Sequence, residues 1–110
     1  MRCSARIEAG VCGFHTTVTA DSPDEQMVTL TITTDCEKIA GLAEALIGKE
    51  IDAYAEIAKG FDGVVLSAAR AGLSGCCAGC AVPSGIFKAV QTAARVALPR
   101  PVSIELTSEP

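Results

Sequence analysis

Hydrophobic and polar residues alternate with a period of two in the first third of the chain, then shift to a helical period. Along residues 2–9, Cys3, Ala5, Ile7 and Ala9 fall on one face and Arg2, Ser4, Arg6 and Glu8 on the other, which predicts a half-buried strand. Gly10-Val11-Cys12-Gly13 breaks the alternation as a turn. A second strand is expected from Phe14 to Ala20, with Phe14, Val18 and Ala20 inward and His15, Thr17 and Thr19 outward. After the polar turn Asp21-Ser22-Pro23-Asp24, the stretch Met27 to Thr33 sets Val28, Leu30 and Ile32 against Thr29, Thr31 and Thr33. The β-branch of threonine fits a pleated surface. Three successive strands with short connections predict an antiparallel meander with one solvated face.

From Asp35 the apolar positions recur at helical spacing. Ile39, Leu42, Ala43, Leu46 and Ile47 form one stripe, which Gly48 closes. Ile51 to Ala58 predicts a short helix stopped by Gly60, and Phe61, Val64, Val65, Ala68 and Ala69 form a further stripe ended by Gly72. Pro83 suits the first position of a last helix whose buried face is Ile86, Val90, Ala93, Ala94 and Ala97, with Pro99 and Pro101 ending it. Val102, Ile104 and Leu106 then alternate with Ser103, Glu105 and Thr107, which predicts a closing strand. Strands followed by helices indicate an α+β fold in two layers, with the order βββ-ααα-β and the helices on one face of the sheet.

At 110 residues this reads as one domain, residues 1–110, and a hydrophobic content of 49% is enough for a core. Aromatic residues are 4% and tryptophan is absent, so that core is aliphatic. The net charge is −4 with no Lys/Arg cluster, which argues against nucleic acid as a partner. Met1 to Arg6 lead into alternating residues instead of an apolar signal core, and no apolar run approaches a membrane span. A cytosolic location with no membrane partner is the expectation. In that compartment thiols stay reduced, so the six cysteines read as metal ligands or redox groups before they read as a disulfide framework.

Five of those cysteines fall at ends of predicted elements: Cys12 in the first turn, Cys36 where strand three meets a helix, and Cys76, Cys77 and Cys80 just before the last helix. In an antiparallel meander the first turn and the end of strand three share one end of the sheet, so Cys12 and Cys36 are expected close together. Helix N-termini favour thiolates, and four thiolates suit tetrahedral zinc or an iron–sulfur cluster. The candidate metal ligands are Cys12, Cys36, Cys80 and either Cys76 or Cys77. Cys3 points inward by parity and reads as core, and His15 points to the solvated face. Cys77-Ala78-Gly79-Cys80 is also a C-x-x-C at a helix start, the arrangement of thiol–disulfide proteins. A single histidine and scattered carboxylates supply no other catalytic constellation, and Gly60-Phe61-Asp62-Gly63 lacks a phosphate-loop pattern.

With Cys12-Gly13, Cys36, and Cys80-Ala81-Val82-Pro83-Ser84-Gly85-Ile86-Phe87-Lys88-Ala89-Val90 in order, and Gly48-Lys49-Glu50-Ile51-Asp52-Ala53 between them, the chain resembles the iron–sulfur cluster scaffold family of the IscU and NifU N-terminal type. It is also similar to the TSCPD-type cysteine domains. The resemblance implies three strands before a helical half and three cysteines converging from the first turn, the end of strand three and the last helix start. The sequence departs from that family where Phe14 replaces an aspartate and Gly79 a histidine, so what it implies is metal or cluster binding more than assembly and hand-over. The whole chain further resembles a small cysteine-containing family of anaerobes and archaea to which no activity is assigned.

The expected function is therefore binding of an iron–sulfur cluster or zinc in a scaffold- or carrier-like protein, not catalysis. Partners expected are the metal ion or cluster and, through the resemblance, proteins of cluster assembly. Two other readings stand beside it: a thiol–disulfide or thiol-transfer protein using Cys77 and Cys80, and an interaction domain whose cysteines are structural.

Overall fold

The alternating stretches pair as their faces require. In the computed structural model, which describes residues 1–110, β1 (Arg2–Glu8), β2 (His15–Asp21) and β3 (Met27–Thr34) form an antiparallel meander. Register runs from Arg2↔Asp21 to Glu8↔His15 in the first pair and from Asp21↔Thr29 to Thr16↔Thr34 in the second. Val18, Ala20, Val28 and Leu30 are buried, Cys3, Ala5 and Ile7 half-buried, and the intervening residues face outward. Each valine or leucine side chain taken fully out of water contributes about 1.5–3 kcal/mol, which is what holds the register against a one-residue slip.

Four helices follow: α1 (Glu37–Leu46), α2 (Ala53–Lys59), α3 (Val64–Gly72) and α4 (Val82–Ala93). All contribute buried residues to one core with the inner sheet face, among them Ile39, Leu46, Val65, Ile86 and Val90. The architecture is α+β, with α4 across β1 and β2 and α1 beside β3.

The structure corrects the expected order in two places. First, Ile51 does not open a helix: Ile51–Asp52 is a short strand, β4, paired antiparallel with Met27 and Val28. Asp52 then starts α2 from an extended backbone, its carboxylate accepting the Tyr54 and Ala55 amides at 3.0 and 3.2 Å. The sheet order is thus β1-β2-β3-β4. Second, the closing strand at residues 102–107 is absent. Those residues carry no secondary structure and are all exposed, so the order is not βββ-ααα-β. The chain leaves α4 through Arg95 at φ +62°, and Pro99 and Pro101 supply no amide donors for a ladder. Alternation marks a segment with a face to bury; it does not supply an edge to pair with.

Smaller corrections concern stripe ends. Phe61 and Ile47, read as inward, are 76% and 73% exposed. Phe61 lies in a 3-10 turn ahead of α3, and Ile47 already has an extended backbone after α1. Phe14 is likewise exposed, because β2 begins only at His15. Helix α4 ends before Ala97 and well before the prolines. No helix is long and apolar enough to cross a membrane.

Candidate functional site

Two of the cysteine-bearing connections are fixed by the meander itself. Beyond Glu8 the chain makes a 3-10 turn over Gly10–Cys12, closed by the Gly13 amide donating to the Gly10 carbonyl at 2.9 Å and the Ala9 amide to the Phe14 carbonyl at 3.1 Å. Gly10 and Gly13 have φ of +83° and +72°, a region glycine enters without steric penalty. Cys12 ends this turn and is exposed. At the exit of β3, the Thr16 and Thr34 hydroxyls lie 2.8 Å apart, the His15 amide donates to Asp35 Oδ1 at 2.8 Å, and the Cys36 amide to Thr34 Oγ1 at 3.2 Å. These bonds tie the residues before α1 to the start of β2. Cys36 is the N-cap of α1, half-buried against the core.

The third connection is brought in by helix packing. A Cβ on Gly85 would lie 2.9 Å from Ile7 Cγ1, so the first turn of α4 sits directly on the last residues of β1. Ile7 pairs with Thr16, and Thr16 with Thr34. The line Gly85–Ile7–Thr16–Thr34 therefore places the segment preceding α4 at the same end of the sheet as Cys12 and Cys36. That segment is a 3-10 turn over Gly75–Gly79, entered from the buried Leu73. Within it Cys76 is exposed, whereas Cys77 is half-buried and packed on the core. Cys80 follows, also half-buried, its amide donating to the Cys77 carbonyl at 3.1 Å.

Electrostatics link the three connections. Burial pushes the Cys77 thiol above its ordinary value, and the charges of Cys76, Cys12 and Cys36 push it further, against the opposing ammonium of Lys38. Thiols from two other parts of the sequence thus lie within electrostatic reach of Cys77. Desolvation and like charge both favour the neutral thiol, and a cation would act in the opposite sense. All six cysteines are free, and no group of three or more His, Cys, Asp or Glu side chains is arranged to hold a metal ion in this conformation.

The candidate residues therefore sort as follows. Cys12, Cys36 and Cys76 lie within electrostatic reach of Cys77, and Cys80 follows the same turn as its C-cap. Cys3 pairs with Ala20 at the far end of β1 and packs on the core. His15 faces outward, with Nδ1 3.9 Å from Glu8 Oε1. Lys38, in the first turn of α1, was not expected at the site. Its position two residues after Cys36 is the only sequence signal for it.

Comparison with known proteins gives one family. A family of unknown function (DUF6951) matches over residues 3–106, as far as the last apolar position of the alternating tail. No curated protein and no solved structure matches the chain. The chain belongs to that family of unknown function.

Proposed function

We propose that this member of the family binds a metal ion, as zinc or an iron–sulfur cluster, through Cys12, Cys36 and Cys77, with Cys80 or Cys76 as the fourth ligand. The observation that carries the reading is geometric: the contact of α4 with Ile7 and the pairing of Ile7, Thr16 and Thr34 bring three cysteine-bearing connections to one end of the sheet, with Cys12, Cys36 and Cys76 within electrostatic reach of Cys77. The donor chemistry fits, since four thiolates satisfy zinc or a cluster and a cation stabilises each thiolate. The Gly10–Cys12 and Gly75–Gly79 turns contain no fully buried residue, so closing them around a centre disturbs little beyond the packing of Cys77 on the core. Metal sites commonly complete their geometry only on binding. Lys38 adds positive charge beside the thiolates, which would offset the net negative charge of a four-thiolate centre.

The resemblance to cluster scaffolds extends this reading to a carrier role. With Phe14 and Gly79 in place of the scaffold family's aspartate and histidine, binding of the centre is better supported than its assembly and hand-over. A thiol–disulfide role for Cys77 and Cys80 requires a readily ionised thiol, and Cys77 is displaced in the other direction.

The test is purification without oxygen, an absorption spectrum and metal analysis, followed by reconstitution with zinc and with iron plus sulfide. One tightly held centre per chain, lost in Cys36→Ser and Cys77→Ser, is expected. Metal-free protein that takes up neither would sink the proposal. Alkylation at neutral pH separates the thiol–disulfide reading: Cys76 is expected to react before Cys77, and rapid selective modification of Cys77 would favour redox chemistry.

A further inference from the structure

Five cysteines stand at this end of the sheet, one more than a four-thiolate centre takes, and the fold divides them into two kinds. Cys36, Cys77 and Cys80 are half-buried and packed against the core, whereas Cys12 and Cys76 are exposed. The turn that carries Cys76, Cys77 and Cys80 accounts for its share of that division. The Cys77 amide donates to the Ser74 carbonyl and the Cys80 amide to the Cys77 carbonyl, each at 3.1 Å, in the bonding pattern of a 3-10 helix. Residues three apart in such a turn stand one above the other. Cys77 and Cys80 therefore share the side that meets the core. Cys76 shares its own side with Gly79, which has no side chain.

Resting on the metal-binding reading, we propose that Cys77 and Cys80 are the ligands from this turn, beside Cys12 and Cys36, and that Cys76 is a redox trigger: oxidised by a peroxide, it draws Cys12 into a disulfide and empties the site.

Susceptibility of a thiol to oxidation follows its exposure and thiolate character. Cys76 is exposed and, in this assignment, free of metal; Cys77 behind it is half-buried, with its thiol pushed above the ordinary value. Hydrogen peroxide or an alkyl peroxide therefore meets Cys76 first. The Cys76 sulfur attacks a peroxide oxygen, the O–O bond breaks, and a sulfenic acid forms with release of water or an alcohol. The Cys12 thiolate then attacks the Cys76 sulfur. The S–S bond forms, the S–O bond breaks, and hydroxide leaves and is protonated to water. The two sulfurs together lose the two electrons that the peroxide gains.

Cys12 is the partner by elimination and by place. Cys77 is too near, since consecutive Cα atoms stand about 3.8 Å apart and a disulfide spans roughly 4.4–6.8 Å. Cys80 lies on the other side of the turn, and Cys36 is fixed as the N-cap of α1 with its amide bonded to Thr34. Cys12 is the other exposed thiol at this end and lies within electrostatic reach of Cys77, the neighbour of Cys76. Neither its turn nor the Gly75–Gly79 turn holds a fully buried residue, so their approach leaves the buried core in place. With Cys12 withdrawn only three thiolates remain, and the tetrahedral set is broken.

Hydrogen peroxide added to the zinc-loaded, reduced chain is the experiment. Zinc release is followed with a chromogenic chelator, and disulfides are mapped by mass spectrometry after the remaining thiols are blocked. A Cys12–Cys76 disulfide is expected to appear together with free zinc, and dithiothreitol to restore the zinc-bound chain. Cys76→Ser is expected to bind zinc as the unsubstituted chain does and to release it several-fold more slowly. Cys80→Ser is expected to lose zinc with unchanged far-ultraviolet circular dichroism. Equal release from Cys76→Ser, loss of zinc binding in Cys76→Ser, zinc retained by Cys80→Ser, or a Cys77–Cys80 disulfide as the first product overturns the proposal and leaves metal binding by the chain standing. A chain that takes up no zinc overturns it as well, and reconstitution of that chain with iron and sulfide shows whether the metal reading falls with it.

Discussion

Ile7 of β1 occupies the space that any side chain on Gly85 of α4 would need, with Ile7 Cγ1 2.9 Å from the place of a Cβ. This contact seats α4 on the sheet and so carries the Gly75–Gly79 turn to Cys12 and Cys36. Gly85→Ala is expected to lower stability by about 1 kcal/mol, the cost of moving Ile7 exceeding the helix propensity gained. In an Ile7→Ala background, which removes both obstructing carbons, the same change should become neutral or stabilising. Urea unfolding of the four chains of this cycle checks the change of sign.

A second expected outcome concerns Glu56, a carboxylate buried beneath the start of α3. It accepts the Val64 amide at 2.6 Å and the Val65 amide at 3.3 Å, closing the helix N-terminus where Gly63 leaves no room for a side chain. Glu56→Ala is expected to cost about 2 kcal/mol by leaving these amides without a charged acceptor, and Glu56→Gln to cost less. Shifts in urea midpoint at constant slope are the measurement.

Serine substitutions should divide the cysteines by position. Cys12→Ser, Cys36→Ser and Cys77→Ser are expected to reduce bound metal to background after anaerobic reconstitution. Cys3→Ser, at the opposite end of β1, should retain full metal content and lose about 1 kcal/mol of stability through the half-buried hydroxyl. Metal loss in Cys3→Ser, or retention in Cys77→Ser, would contradict the assignment.

Acid should loosen the corner where β3 meets β4. The Asp24 carboxyl is held below its ordinary value chiefly by the Met27 and Gln26 amides, and the Asp52 carboxyl by the Ala55 amide and the Gln26 side chain. A lowered folded-state value means stability that is present above the unfolded value and lost as pH falls through the ordinary aspartate range toward the lowered one. Urea midpoints are expected to drop as pH falls below about 5 and on through about pH 3, and less steeply in Asp24→Asn and Asp52→Asn. Equal slopes in all three proteins would refute this.

The meander was legible because each strand has two chemically different faces: Val18 and Ala20 against Thr17 and Thr19 leave one choice of orientation. From that parity the neighbourhood of Cys12 and Cys36 followed directly. β4 was not legible, since two residues contain no period, and Ile51 reads equally well as the start of the α2 stripe. The tail failed for a different reason. Its alternation is as clean as that of β3, yet whether it finds a partner depends on edges and on chain geometry, which composition does not encode. Which of Cys76 and Cys77 turns inward is set by the tight turn that contains both, and adjacent residues of like chemistry carry no signal to separate them. Lys38 escaped notice because a lysine on a helix reads as solvated face.

The separation of the clustered cysteines along the chain also sets an order of events during synthesis. Cys12 and Cys36 leave the ribosome before the chain has reached Cys77, and α4, whose seat on Ile7 brings the third connection home, is made later still. Until that helix docks, Cys12 and Cys36 share their end of the sheet without the third connection. On the proposed reading, a centre held by all three connections can be completed only once the chain has been made through the cysteines that precede α4.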